Sequence, residues 1–224
     1  MRQLSLALYA EGSTDGFFLP PIIVRSAQGI LSKLDQLGID VQEPHIQYKN
    51  PGGRSILIIA QELAAYDLLV VHSDGDNRGY KKTLDEFFLP AKNLVLTESD
   101  KGKSVCVHLV PLIPVRSIEA WMLADPNAVC TVLGIDKKRA STLDLPKKAV
   151  LVEKELNPKR TLDLLIEAAY PKQPKSRKKD FKYKLYKELG SEIDLQRLRE
   201  VDSYKYFEAD LTTTLLQALD FIQK

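Results

Sequence analysis

The residues best suited to chemistry are acids placed where two apolar runs end. Glu11 follows Leu4–Tyr9 within Glu11-Gly12-Ser13-Thr14-Asp15, and Asp74 and Asp76 follow Asp67–Ser73 within His72-Ser73-Asp74-Gly75-Asp76. If both runs are strands of one parallel sheet, the acids gather beyond the strands' carboxyl ends, where open α/β sheets bind ligands. Carboxylates are the ligands hard divalent cations prefer, and Mg²⁺ is typically held by one or two of them together with water and substrate phosphate. Each cluster alone reads as an ordinary turn, because Asp and Gly are common turn formers. It is the pairing of the two that points to a metal site. Gly75 is expected to permit a sharp chain path between the two Asp residues.

The elements that would position these acids alternate along the first half. Leu4–Tyr9 reads as a strand and Ser13 or Thr14 as the cap of a helix running toward Leu37, kinked or interrupted by Pro20-Pro21. His45–Tyr48 reads as a strand and Ser55–Tyr66 as a helix. The Leu68-Leu69-Val70-Val71 run fits a strand buried on both faces, which occurs in parallel sheets covered by helices. Tyr80–Leu89 is expected to form a helix ended by Pro90, Val105–Val115 a strand region and Ser117–Ala124 a helix. The alternation predicts an α/β fold with a mostly parallel, Rossmann-like sheet flanked by helices. It would occupy residues 1–125. Residues 126–224 would be a mainly helical, basic C-terminal subdomain packed on it, with helices at Asn127–Leu133, Lys137–Ala140, Thr161–Ala169 and Asp194–Lys224.

The acids and bases are unevenly shared. Residues 1–130 carry 12 Lys/Arg and 15 Asp/Glu, and residues 131–224 carry 20 and 15, within a net charge of +2. Pro171–Lys187 holds eight basic residues and one acid. Its Lys175, Arg177, Lys178, Lys179, Lys182 and Lys184 interleave with Phe181, Tyr183 and Tyr186. Cations neutralise phosphates and aromatics stack on unpaired bases, so this stretch is expected to bring a polyanion to an otherwise repellent acidic site. Arg78 and Lys81 could contact a phosphate or pair locally with Asp85 or Glu86.

Other chemistries find no support. Cys106 and Cys130 form no metal spacing and read as buried thiols, in keeping with a reducing cytoplasm. His45, His72 and His108 lack ligand spacing and read as packed histidines. Lys101-Gly102-Lys103-Ser104 resembles the end of a phosphate-binding loop, but Thr97 stands where that motif begins with Gly. No apolar run approaches the length of a membrane span. The N-terminal run is interrupted by Glu11, so it reads as a strand and not a secretion signal.

The layout of strand, Glu-Gly, two βα units, then strand and Asp-x-Asp resembles the Toprim domain of topoisomerases, primases and overcoming-lysogenization-defect nucleases. A closer resemblance is to small stand-alone Toprim-like proteins of bacteria and archaea. These share the E-G-x-T-[DE] start and a segment like Pro114-Val115-Arg116-Ser117-Ile118-Glu119-Ala120-Trp121-Met122-Leu123-Ala124-Asp125. The resemblance covers roughly residues 4–125. It implies that Asp74 and Asp76 hold Mg²⁺ (or Mn²⁺), and that Glu11 binds metal or serves acid/base chemistry. It also implies a nuclease role in phage defence beside an ATPase partner. Glu119 is the fourth candidate, either a site acid or a helix-dipole partner behind a Ser117 cap. Trp121 and Met122 read as core. The leading expectation is a Mg²⁺-dependent phosphodiester hydrolase acting on DNA or RNA. One rival is a non-catalytic module binding nucleic acid or protein. Another is a metal-dependent glycosyltransferase, which gives no role to Glu11-Gly12.

Overall fold

The computed structural model describes residues 2–34, 38–49, 55–136, 145–146, 148–171 and 175–222, the side chains of 175–180 and 220–222 excepted. The expected helix at Lys137–Ala140 lies outside these residues.

The fold is α/β with parallel strands. A short β1 (Arg2–Leu4) pairs with β3 (Ile39–Val41), and β2 (Leu6–Ala10) is the centre of a four-stranded parallel sheet. That sheet has the order β4-β2-β5-β6, with β4 His45–Tyr48, β5 Leu68–His72 and β6 Leu109–Leu112. The expected first strand is thus two, divided at Ser5, whose N–H and hydroxyl both donate to Asp67 Oδ2 at 2.7 Å. β2 and β5 are buried along their whole length, which is why their sequences are apolar on both faces.

The helices sort by face. From β2 the chain crosses through α1 (Asp15–Lys33) to β4, on one side of β2. It then returns through α2 (Ile56–Glu62) to β5, on the other side of β2. After β5 come α3 (Gly79–Thr83), a π-helical turn (Leu84–Phe88) and α4 (Leu89–Asp100), leading to β6. Leu6, Leu8, Ala10, Leu68 and Val70 pack with α1, whereas Ala7, Tyr9, Leu69 and Val71 pack with Ile56, Ile59 and Val95 of α2 and α4. Successive strand residues therefore serve opposite cores, as the period of two requires. Because connections leave β2 and β5 in opposite directions, their carboxyl ends flank the sheet's topological switch point.

Beyond β6 lie α5 (Ile118–Met122), α6 (Pro126–Leu133), a 3-10 segment (Ala149–Lys154), α7 (Pro158–Ala169), α8 (Lys175–Glu192), α9 (Leu195–Leu198) and α10 (Asp202–Ile222). Their apolar residues join the α1 face of the sheet in one continuous core, from Leu4 through Trp121 and Tyr186 to Leu219. Polar ties cross it. Trp121 Nε1–H donates to Ser203 Oγ at 2.8 Å, and Arg25 of α1 donates to the Gly190 and Ile193 carbonyls at the end of α8. Asp125 caps α6 through Oδ1 and accepts from Asp194 N through Oδ2.

Three local expectations need correction. Pro20-Pro21 does not interrupt α1, which runs unbroken from Asp15 to Lys33. The donors the prolines lack would have served Gly16 and Phe17, on the partly exposed first turn. Pro90 does not end a helix but stands at the second position of α4. The preceding π turn re-phases the chain there, and an early helical position needs no amide donor. The basic polar stretch from Lys175 is helix α8.

Gly190 lies where α8 crosses α1, and a Cβ there would run into the Phe18 backbone carbonyl. Gly29 of α1, in contrast, would place a Cβ only against Arg199 at 3.9 Å. Gly190→Ala is expected to cost about 1–3 kcal/mol through forced backbone displacement. Gly29→Ala should stabilise by roughly 0.5–1 kcal/mol through helix propensity. Paired denaturant titrations check this, and effects of equal sign would contradict the close crossing.

Candidate functional site

The ends of β2 and β5 bring Glu11 and Asp74 together. The strands are in register through Tyr9 and Val71, so the next residues leave the sheet side by side. Glu11 Oε2 accepts from Asp74 N at 3.0 Å and lies 3.4 Å from Ser73 Oγ, while Oε1 faces Lys49 Nζ at 3.9 Å. Asp74 is half-buried, with Oδ2 3.4 Å from Lys159 Nζ at the start of α7.

His72 is the hub beneath them. Its imidazole is fully enclosed, with Nδ1 3.3 Å from Asp15 Oδ2 and Nε2 3.4 Å from Asp74 Oδ1. Burial pushes its pKa down, but the bonds and charges of Asp15 and Asp74 more than offset this and raise it to about 9. The ring is therefore an imidazolium at neutral pH, and Glu11 N, 3.5 Å from Nδ1, is no true donor to it. Asp15 is fixed in turn by Gly12 N, which donates to Oδ2 at 2.6 Å. His72 was expected to be merely packed. It is packed, and it also ties the acid of α1 to the acid after β5.

Glu119 lies on the same side. It is 2% exposed, accepts from Tyr186 OH at 2.7 Å through Oε1, and leaves Oε2 buried without a hydrogen-bond partner. Burial, then the charge of Glu119, raises the Tyr186 pKa far above that of an ordinary tyrosine, so the phenol acts as a neutral donor. Burial works against the charge of Lys159, yet Glu119, Asp74 and Asp15 together hold its ammonium above the usual lysine range. Ser117 stands at the helix N-cap position, but its hydroxyl makes no capping bond.

Asp76 departs from this cluster. Its backbone is left-handed at φ 44°, its N–H donates to Arg116 O at 3.1 Å, and the two residues form an isolated bridge. Arg116 is also left-handed, at φ 70°. Two strained non-glycine residues at one bridge store about 1–3 kcal/mol each. Gly75 is needed here for close approach, because a Cβ would sit 2.9 Å from the Pro114 carbonyl oxygen. The bridge turns Asp76 onto the wall of an open cleft of about 540 Å³, shared with Arg78, Arg116, Ser117, Asn157 and Lys159.

Of the expected triad, Glu11 and Asp74 meet at the strand ends and Asp76 lines the adjoining cleft. Among the described residues no group of three or more His, Cys, Asp or Glu side chains could hold a metal ion by itself. What remains is a pair of carboxylates. Glu11 and Asp74 supply carboxylates at one edge, where Asp74 Oδ1 faces the His72 ring and Asp74 Oδ2 and Glu11 Oε1 face the ammonium groups of Lys159 and Lys49. Mg²⁺ commonly completes so small a set with water and phosphate oxygens.

The basic stretch is partly spent on structure. Lys182 pairs with Asp163 at 3.0 Å and sits over the Tyr186 ring, and Lys184 pairs with Glu188 at 3.5 Å. Phe181 packs on Tyr170, Tyr183 on Phe17, and Tyr186 is buried. These aromatics were expected to stack on bases and instead anchor α8, because helical spacing turns them onto neighbouring helices. Lys175, Arg177, Lys178 and Lys179 lie on α8 with side chains outside the described set. Cys106 is buried and Cys130 half-buried, both as free thiols.

Comparison with known proteins returns no match to a family model, to a curated protein or to a solved structure. Among the described residues no helix is long and apolar enough to cross a membrane.

Sequence reasoning missed His72, Lys159 and Tyr186. His72 had a signal, since it is the last residue of the buried strand whose exit carries Asp74. Lys159 is 85 residues from the acid it contacts and had none.

Proposed function

We propose that the chain is a divalent-cation-dependent phosphodiester hydrolase acting on nucleic acid, with a Toprim-like site. The observation that carries this reading is the meeting of Glu11 and Asp74 at the switch point of a parallel sheet, joined through Asp74 N and faced by Lys159. Glu11 and Asp74 are the residues that would hold Mg²⁺ or Mn²⁺. Such a cation polarises a phosphate oxygen and lowers the pKa of bound water.

The protein's own groups then have distinct parts. The Asp15–His72 pair orients Asp74, as outer partners of ligating carboxylates do. Lys159 neutralises a substrate phosphate oxygen drawn toward the acids. Glu11, exposed at the strand end, is open to water on the side that faces Lys49. Tyr186 holds Glu119 in place beneath Lys159.

The test is incubation with labelled single- and double-stranded DNA and RNA, with Mg²⁺ or Mn²⁺ against EDTA, and Asp74→Asn alongside. Cleavage should need the cation and Asp74. Salt-sensitive binding without cleavage, unchanged in Asp74→Asn, would overturn the hydrolase in favour of a binding module.

A further inference from the structure

We infer that the cleft beside Asp74, bounded by Arg78, Arg116, Ser117 and the start of α7, is a subsite for a second phosphate of a polynucleotide strand. The inference rests on the phosphodiesterase reading and extends it to how the strand is held. Arg78, Arg116 and Lys159 line the cleft against one acid, Asp76, so the lining carries a net charge of +2. No carboxylate forms an ion pair with Arg78 or Arg116 among the described residues, and Arg116 is instead steered by a hydrogen bond from its guanidinium to Asn77 Oδ1.

A second observation points to a ligand. Ser117 lines the same cleft, is 4% exposed, and its hydroxyl is buried without a hydrogen-bond partner. A buried hydroxyl is ordinarily satisfied, and an acceptor oxygen entering the cleft would satisfy this one. The twelve-residue α7 begins at the cleft edge, where Asn157 caps it through Arg160 N, so its dipole favours an anion there. Lys159 belongs both to this lining and to the contact with Asp74, so the two phosphate positions would share a wall. The left-handed bridge of Asp76 and Arg116 keeps both residues in the cleft lining. Consecutive phosphates of one strand fit adjacent positions of this kind, with Lys159 between them.

The experiment measures binding of a short labelled oligothymidine by fluorescence anisotropy in EDTA over a range of salt, so that no cleavage intervenes. Inorganic phosphate is titrated separately as a competitor. Arg116→Ala should weaken binding about tenfold and reduce the slope of log K against log salt by roughly 0.7, one phosphate contact on a single strand. Arg116→Gly, which suits the left-handed backbone, should do the same with the fold kept. Ser117→Ala should weaken binding about threefold while leaving the melting temperature unchanged or higher, because it removes an unsatisfied hydroxyl. Lys184→Ala should change binding little. Wild-type affinity and salt slope in Arg116→Gly and Ser117→Ala overturn the subsite whether or not the protein cleaves. Displacement by inorganic phosphate with no measurable oligothymidine binding also overturns it, assigning the cleft to a free anion. Loss of binding in these variants, from a protein that cleaves nothing, keeps the subsite and removes the hydrolase.

Discussion

Asp74→Asn is expected to lower cation-dependent cleavage by about 10²–10³-fold, the scale of several kcal/mol lost from charge stabilisation at a phosphoryl centre. The substitution keeps the side chain's size and removes the charge that faces both His72 and Lys159. Asp15 remains to hold the His72 imidazolium, so the fold should persist. Asp76→Asn provides the contrast. Asp76 lines the cleft with Arg78 and Arg116 and its backbone is held by the bridge to Arg116, so the variant's activity should stay within about tenfold of wild type. Steady-state cleavage rates of the two variants check this. Equal losses would place Asp76 at the chemical centre and contradict the separation.

His72→Leu is expected to destabilise the protein by about 3–5 kcal/mol, because it leaves Asp15 and Asp74 facing a buried apolar group without their shared cation. The same interaction sets a pH dependence. In the unfolded chain the imidazole titrates near 6.5, and in the folded protein near 9. The raised folded value means that the stabilisation is fully present below pH 6.5 and is lost as pH rises through about 9. It amounts to about 3 kcal/mol, an order-of-magnitude figure for a coupled site. Denaturant titrations of wild type and His72→Leu in EDTA, at intervals from pH 6 to 10, read it as the difference between the two curves. That difference should shrink with rising pH, and a constant difference would show that the imidazole is held neutral.

What the sequence showed and what it hid follow one physical division. β5 was legible because the short run Leu68–Val71, ending in β-branched Val70 and Val71, is apolar on both faces, as a strand within a helix-covered sheet requires. Glu11 and Asp74 were legible because they lie one and two residues beyond the ends of β2 and β5, so knowing the strands placed the acids. The setting of Asp76 was hidden because it depends on a bridge to Arg116, forty residues later. Tyr186 and its neighbours looked like a nucleic-acid surface because charge dominates the composition of α8. Their packing against Phe17, Tyr170 and Glu119 becomes visible only when helices distant in sequence meet. The prolines were misread for a related reason. Pro20 and Pro21 sit in the second turn of α1 and leave only the Gly16 and Phe17 carbonyls of its partly exposed first turn without helical donors, and Pro90 follows a π turn that composition does not reveal.

The most direct test of the strand-end site is a titration with Mn²⁺, following free ion by electron paramagnetic resonance, on wild type, Glu11→Gln, Asp74→Asn and Asp76→Asn. The account predicts uptake by wild type, at least about tenfold weaker uptake in Glu11→Gln and Asp74→Asn, and near-normal uptake in Asp76→Asn. Uptake that is absent in wild type, or unchanged by removing the Asp74 charge, would contradict it.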